Sequence, residues 1–465
     1  MDSLSGIEEF FYHRSKLAYH SCFYVAVKFN QKPEDSCLKS ALEVTISKFP
    51  HLYSNAFTNA GNVVLRPLRK SFMLSEVVER VDFEYLDESF NSHVFKTVTF
   101  DYGVERPLWK LLVLKDQRTF VLCTDHLIMD GLSTVAFWKS VITGLNNCDT
   151  TGAPENGPVF IPSANLSKVQ QHPYEKIPYT VLGLLLWAFV RLMVLLEFVK
   201  LDIIGKVFVP HLSSKDFKFR NYRFPEGLLN STGGIRNDNC QLNLHIPSSK
   251  MRLLLKNCKS HKVSFTSLLA AVVAHSLQSV SPSQVEGSRI KISVPINARE
   301  AVRKVITEAP GSADFGNFIK TGEFTRDLTE LVQLWDTAKS LDDEMAYQRK
   351  SEVPIQMAKL LNLIDVEKFV QGKVDAPYPG STFEITNLGY QTFDCGVDDK
   401  YVVEDAFFNE PQGISDVFTF SVVSTPANGL NCWISYPREL QTDLQPAIAN
   451  IQRKLDDLSI ESSEN

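Results

Sequence analysis

The stretch DHLIMDGLS, Asp125 to Ser133, puts His126 four residues ahead of Asp130 and follows that aspartate with Gly131. Upstream, TFVLCTD is a β-rich run that delivers His126 to a strand end, where functional groups collect. Downstream, LSTVAFWKSVITGL carries Val135, Trp138, Val141 and Ile142 on one helical face. Asp130-Gly131 therefore reads as the turn into a helix, with Ser133 placed to cap it. A lone histidine is more often a structural residue than a base, and it is this strand-turn-helix setting that raises His126. An imidazole with an ordinary pKa near ~6.5 suits removal of a proton from an attacking hydroxyl or amine. Asp130 lies in a turn and need not face the imidazole. It is expected to pair with an arginine and hold the loop's shape, and Arg299, at the end of RIKISVPINARE, is placed to reach across. Gly131 either lets a chain approach closely or meets a turn's backbone angle.

Working outward, strands and helices alternate. SCFYVAVKFN reads as a strand, KPEDSCLKSALEVTISKFPHL as a helix capped by Asp35 or Ser36, and RPLWKLLVLKD and RTFVLCTDHL as paired strands turning at DQR. Residues 145 to 175 are rich in Asn, Gly, Pro and Thr and read as a linker. A second unit starts near 240 with the strand CQLNLHIP, then two helices dividing near His261. The strands RIKISVPINARE, FGNFIKTGEF, STFEITNLGY, DVFTFSVVST and GLNCWISYP follow, and then a last helix over 443–458. The expected fold is α/β with mixed sheets, in two halves: residues 1–145, a linker and apolar crossover over 146–238, and residues 239–465.

Within that crossover, VLGLLLWAFVRLMVLLEFV (181–199) is apolar all round for its first part, then broken by Arg191 and Glu197. Its length permits a membrane span. A single crossing would put the halves on opposite sides of a bilayer and is excluded if they share one site. It is expected either to pack between the halves or to lie in a membrane or lipid-droplet surface, with Arg191, Glu197 and Lys200 at the polar boundary. KLDIIGKVFVPHL extends the apolar stretch to 208 and favours lipid contact.

The net charge of −6 and pI near 6.0 argue against a nucleic-acid surface. The eight cysteines form no CxxC and no zinc spacing with histidine, and they read as reduced, mostly buried thiols. No metal cluster, phosphate-cradling glycine loop or GxSxG nucleophile appears. MDSLSGIEEFFYHRSK lacks the apolar core of a signal peptide, so the triplets at Asn165 and Asn230 read as chance glycosylation matches. The 31 phenylalanines imply a large aromatic core, a wide apolar channel, or both.

The HxxxDG stretch resembles the mark of the chloramphenicol acetyltransferase-like superfamily, which includes plant BAHD acyltransferases, condensation domains and wax-ester synthases. Over nearly its whole length the chain is most similar to the fungal alcohol O-acetyltransferase family. FFYHRSKLAYHSCFYVAVKFN, LKSALEVTISKFPHL, RPLWKLLVL, DHLIMDGLSTVAFW, VPINARE, FGNFI, ITNLGY and DVFTFSVVSTPANGLNCWISYP carry the likeness. The resemblance implies two chloramphenicol acetyltransferase-like halves with a tunnel at their interface. His126 would act as general base there, with Asp130 supporting the loop, on acetyl-CoA as co-substrate and with no bound cofactor. Asn387, Ser424 and Thr425 are the implied oxyanion donors, though strand and turn hydrogen bonding is the plainer use of each. Asp125 departs from the Asn or His that the family often has before the histidine. A carboxylate there is expected to raise the pKa of His126 or to bind an amine.

Three readings of function follow: acetylation of an alcohol hydroxyl; N-acetylation of an amphipathic amine such as a sphingoid-base-like inhibitor, a detoxification; and an inactive lipid-surface binding protein. The expected partners are acetyl-CoA and a small apolar or amphipathic alcohol or amine, with peripheral membrane or lipid-droplet contact and no nucleic acid. The expected state is a monomer on the cytoplasmic side of the endoplasmic reticulum or lipid droplets.

Overall fold

The computed structural model describes residues 3–148, 157–198, 209–306 and 313–460. Its two main sheets are mixed. The first has five strands, in the order Val403–Asn409, Phe23–Phe29, Thr119–Thr124, Trp109–Val113, Val78–Arg80. The second has six, in the order Asn239–Pro247, Gly429–Pro437, Asp416–Thr425, Ser381–Tyr390, Arg289–Asn297, Ile319–Asp327. Strand Thr119–Thr124 is buried at every position, which explains why TFVLCT shows no alternation. It pairs antiparallel with Phe23–Phe29 on one side and Trp109–Val113 on the other.

Two elements tie the halves together. Strand Val403–Asn409 comes late in the chain yet pairs antiparallel with Phe23–Phe29 in the first sheet. Asn431 on the second sheet donates to the Ala406 carbonyl at 2.9 Å and to Asp405 Oδ1 at 2.8 Å, so this strand joins both sheets. In the other direction, helix Gly6–Lys16 packs on Val366–Asp375 and Val353–Leu360 of the later half. Its start is fixed by Glu8, whose Oε2 accepts the Ser5 N–H at 2.8 Å.

Helix Asp35–Lys48 begins after Glu34 rather than being capped by Asp35 or Ser36. It lies along helix Gly131–Asn146 so closely that a Cβ on Gly144 would sit 2.8 Å from the Ala41 Cα. This packing sets Cys37, near one helix's start, beside Cys148, just past the other's end. The two form a disulfide with a Cα separation of 5.5 Å, correcting the expectation of reduced thiols at these positions. Their 111-residue separation left nothing local to read. Cys22, Cys123, Cys240, Cys258, Cys395 and Cys432 are free.

Helix Val181–Phe198 packs against helix Val353–Leu360 and the turn Leu361–Leu363, with Gly183 against Gln356 and Val190 buried. Leu182, Leu184, Leu185, Phe189, Leu192 and Leu195 are exposed, Leu195 by 71%. The helix is therefore not a buried interdomain element. Among the described residues no helix is long and apolar enough to cross a membrane. The Glu197 side chain, Lys200 and the stretch 199–208 lie outside what is described.

Candidate active site

His126 follows the strand Thr119–Thr124 through a tight turn. The turn is held by Asp125, whose Oδ1 accepts the Leu127 N–H at 2.8 Å and the Tyr102 hydroxyl at 3.0 Å. The imidazole stacks on Phe11, centroids 4.2 Å apart and rings 6° from parallel, with Phe23 at 4.9 Å. From the other half, Asn317 Nδ2 donates to the His126 carbonyl at 2.8 Å and lies 3.2 Å from Nδ1. Burial, and then the positive charge of Arg14, push the His126 pKa down to about 3, against a smaller upward pull from its own backbone carbonyl. Asp125 was expected to raise this pKa or to hold an amine. Its Oδ1 is taken by the turn, the residue is absent from the cavity wall, and His126 is shifted the other way.

The expected result is that a carbon-labelled His126 imidazole keeps its neutral-form NMR shifts down to about pH 5, because the folded group protonates well below the ordinary ~6.5. The unfolded chain takes that proton below ~6.5. The burial therefore costs stability progressively as pH falls from ~6.5 towards 3, and nothing above. An imidazolium signal appearing near pH 6.5 in the folded protein would contradict this.

Asp130 points away from that imidazole. Arg299 grips it with both nitrogens, Nη1 to Oδ2 at 2.9 Å and Nη2 to Oδ1 at 2.7 Å. The N–H groups of Ser133 and Phe318 add bonds of 2.8 and 2.9 Å. Burial alone would raise this carboxyl, but Arg299 and the N–H donors outweigh it and hold it below the usual range. Asp130, not Ser133, caps helix Gly131–Asn146; the Ser133 hydroxyl instead donates to the Gly316 carbonyl at 2.6 Å. The loop bearing His126 is thus pinned to Gly316-Asn317-Phe318 of the later half. Gly131 has no left-handed φ. A Cβ there would fall 2.5 Å from Leu388 Cδ2, so the tip of that side chain would have to shift.

His126, Asp130, Gly131, Arg299 and Asn387 line one cavity of about 580 Å³ between the halves. Asn387 holds Thr266 Oγ1 at 3.0 Å and accepts the Gly389 N–H at 2.7 Å. Ser424 and Thr425 do not line the cavity. The Ser424 hydroxyl donates to the Gly389 carbonyl, and the Thr425 hydroxyl to the Glu404 carbonyl. As oxyanion donors they are therefore corrected: neighbouring backbone takes both.

Sequence reasoning missed several residues here. Phe11 and Arg14 reach the cavity from helix Gly6–Lys16, ahead of the first β-rich run, which begins at Ser21. Asn317 stood in the quoted FGNFI without a role. Glu384 and Glu410 also line the cavity; burial raises both carboxyls above the ordinary range. Among the described residues, no group of histidine, cysteine and carboxylate side chains is arranged to hold a metal.

Against known proteins, the family model "Alcohol acetyltransferase" matches residues 3–455. The chain is 34% identical to the N-acetyltransferase SLI1 of Saccharomyces cerevisiae, over 95% of this chain and 97% of that protein. It is 23% identical to an uncharacterized protein of Schizosaccharomyces pombe, over 90% and 87%. In fold it is similar to the trichothecene 15-O-acetyltransferase TRI3 of Fusarium sporotrichioides, with TM-score 0.67 and 11% identity over 98% of this chain and 95% of that one. The epimerization domain of tyrocidine synthetase B follows at TM-score 0.58 and 12% identity, over 98% and 96%. The two-lobed chloramphenicol acetyltransferase-like architecture is thereby shown. A match spanning nearly every residue, with an acetyltransferase relative of this identity, means that the chain is an acetyltransferase and belongs to the alcohol acetyltransferase family.

Proposed function

We propose that the protein transfers the acetyl group of acetyl-CoA to the amino group of an amphipathic amine, with His126 as general base. The observation that carries this reading is the pairing, in one buried cavity, of an imidazole kept neutral with the carboxylates Glu384 and Glu410. Burial opposes the charged form of both carboxyls, and an alkylammonium entering beside them favours it. Its first proton passes to a wall carboxylate. The freed nitrogen attacks the thioester carbonyl as His126 takes the second proton, which then goes to the departing CoA sulfur. In the neutral ring one nitrogen keeps the lone pair this step needs. Asp130 and Arg299 hold the loop in place and take no proton. The relative named as an N-acetyltransferase supports the amine over the alcohol.

The second reading, acetylation of an alcohol hydroxyl, is favoured by the family's description. It needs only His126 to move one proton from oxygen to sulfur. Dodecylamine and dodecanol, offered with acetyl-CoA and analysed by mass spectrometry, separate the two. The account expects N-dodecylacetamide as the dominant product. Dodecyl acetate as the dominant product would overturn the amine reading.

We further propose that the protein works as a monomer on the cytoplasmic face of the endoplasmic reticulum or on lipid droplets. There the exposed side of helix Val181–Phe198 would rest in the lipid surface. What supports this is that the same helix places Val190 on the cavity wall, so a lipid-borne acceptor would enter beside it. Leu184→Asp with Leu185→Asp is expected to lower liposome-bound protein about tenfold in flotation while leaving the melting temperature unchanged, since both side chains are exposed. Equal flotation of variant and wild type would count against lipid contact.

A further inference from the structure

Residues 145–175 read in sequence as a linker, yet the end of that stretch is built into the support of the site. His172 is 4% exposed, its ring edge-on to Tyr174 at 4.5 Å and tilted on Phe318 at 5.7 Å. Its Nδ1 accepts the Tyr174 N–H at 3.3 Å and so caps the turn Pro173–Lys176. A ring nitrogen that accepts carries no proton, so the proton of this imidazole is on Nε2. Nε2 donates it to the Asn317 carbonyl at 2.9 Å.

No other donor reaches that carbonyl among the described residues. The pairing of Arg289–Asn297 with Ile319–Asp327 gives out just past its end, where the Ala298 N–H meets the Phe318 carbonyl at 2.9 Å. Asn317 is 3% exposed, and a buried carbonyl left without a donor is destabilising. The peptide between Asn317 and Phe318 is therefore gripped at both ends, its N–H by Asp130 at 2.9 Å and its carbonyl by His172. The Asn317 side chain leaves the chain beside this fixed plane. Its Oδ1 has no partner, and its Nδ2 meets only His126, at the carbonyl and beside Nδ1. With nothing else to hold the amide, its direction is set by the backbone that carries it.

We infer that His172 is a positioning residue of the acetyl transfer: by holding the Asn317 carbonyl it aims the amide that fixes His126. It acts only through Asn317, since it does not line the cavity. The inference rests on His126 as general base, and holds for an amine or an alcohol acceptor alike.

The test compares His172→Gln, whose Nε2 donor can stand where the ring's Nε2 stood, with His172→Asn, one carbon too short to reach. Turnover is read as CoA release from acetyl-CoA, with whichever of dodecylamine and dodecanol the wild type acetylates. His172→Asn is expected to lower kcat about tenfold with KM unchanged, because a misplaced base costs rate rather than binding. His172→Gln is expected to keep most of the wild-type kcat. In an Asn317→Ala background no amide is left to aim. There His172→Asn is expected to lower the melting temperature but to lower kcat no further. Wild-type kcat in His172→Asn would overturn the inference. So would an equal kcat loss in the Asn317→Ala background, which marks a purely structural role. Whether or not the Asn variant folds, a folded His172→Gln protein that loses as much kcat as Asn317→Ala also overturns it. If His126→Ala keeps wild-type turnover, the base reading fails and this inference with it; if His126→Ala loses turnover while His172→Asn keeps it, this inference alone fails.

Discussion

Replacing His126 with alanine lowers acceptor-dependent CoA release by about 10²- to 10⁴-fold, the span that general-base catalysis supplies. The fold survives the change. The ring's contacts include its stack on Phe11, the tilted contact with Phe23, an edge-on approach of His20 and the Nδ1 approach of Asn317. Asn317 also holds the backbone carbonyl at position 126, which alanine retains. The loss in stability is therefore that of one aromatic contact and a small cavity, about 1–3 kcal/mol. Rate and fold separate, and that separation identifies a base rather than a packing residue. A His126→Ala protein with wild-type turnover would remove the imidazole from the chemistry altogether.

Arg299→Ala has the opposite profile, losing stability first and activity as a consequence. It leaves Asp130, 1% exposed, as an uncompensated buried charge, which costs about 3–5 kcal/mol. It also loosens Gly316 to Phe318, the segment whose Asn317 holds His126, so turnover falls as well. Because the Asp130 carboxyl is held below its ordinary range, the pair's contribution is fully present above the unfolded value of ~3.9 and is lost as pH falls through the lower folded value. Denaturant unfolding at neutral pH measures the effect. Asp130→Leu with Arg299→Met removes both charges and is expected to recover most of the stability but little of the activity. If Arg299→Ala unfolds at the wild-type denaturant midpoint with full turnover, the pair does not hold the loop.

The sequence made the HxxxDG turn legible because three signals agree there: a β-rich run, a histidine-to-aspartate spacing and a helical face led by Val135 and Trp138. The strand Val403–Asn409 was missed because VEDAFFN carries Glu404 and Asp405, which read as solvent-facing; Asp405 is in fact buried and bonded to Asn431. The Cys37–Cys148 disulfide depends on two helices lying side by side, a tertiary fact with no local trace. Arg14 belongs to a helix whose basic last turn, His13 to Lys16, looks like an ordinary dipole-matching end. Only docking against the later half turns that arginine into a cavity wall. The oxyanion candidates Ser424 and Thr425 failed for a related reason: a hydroxyl in a fully buried strand end finds backbone before it finds a ligand.

The most direct test of the account is thiol release from acetyl-CoA by the wild-type protein, with and without an amphipathic amine. Free CoA that accumulates only when the acceptor is present, with the acetyl group recovered on nitrogen, is the predicted result. A well-folded wild-type protein that releases no CoA in response to any amine would contradict it.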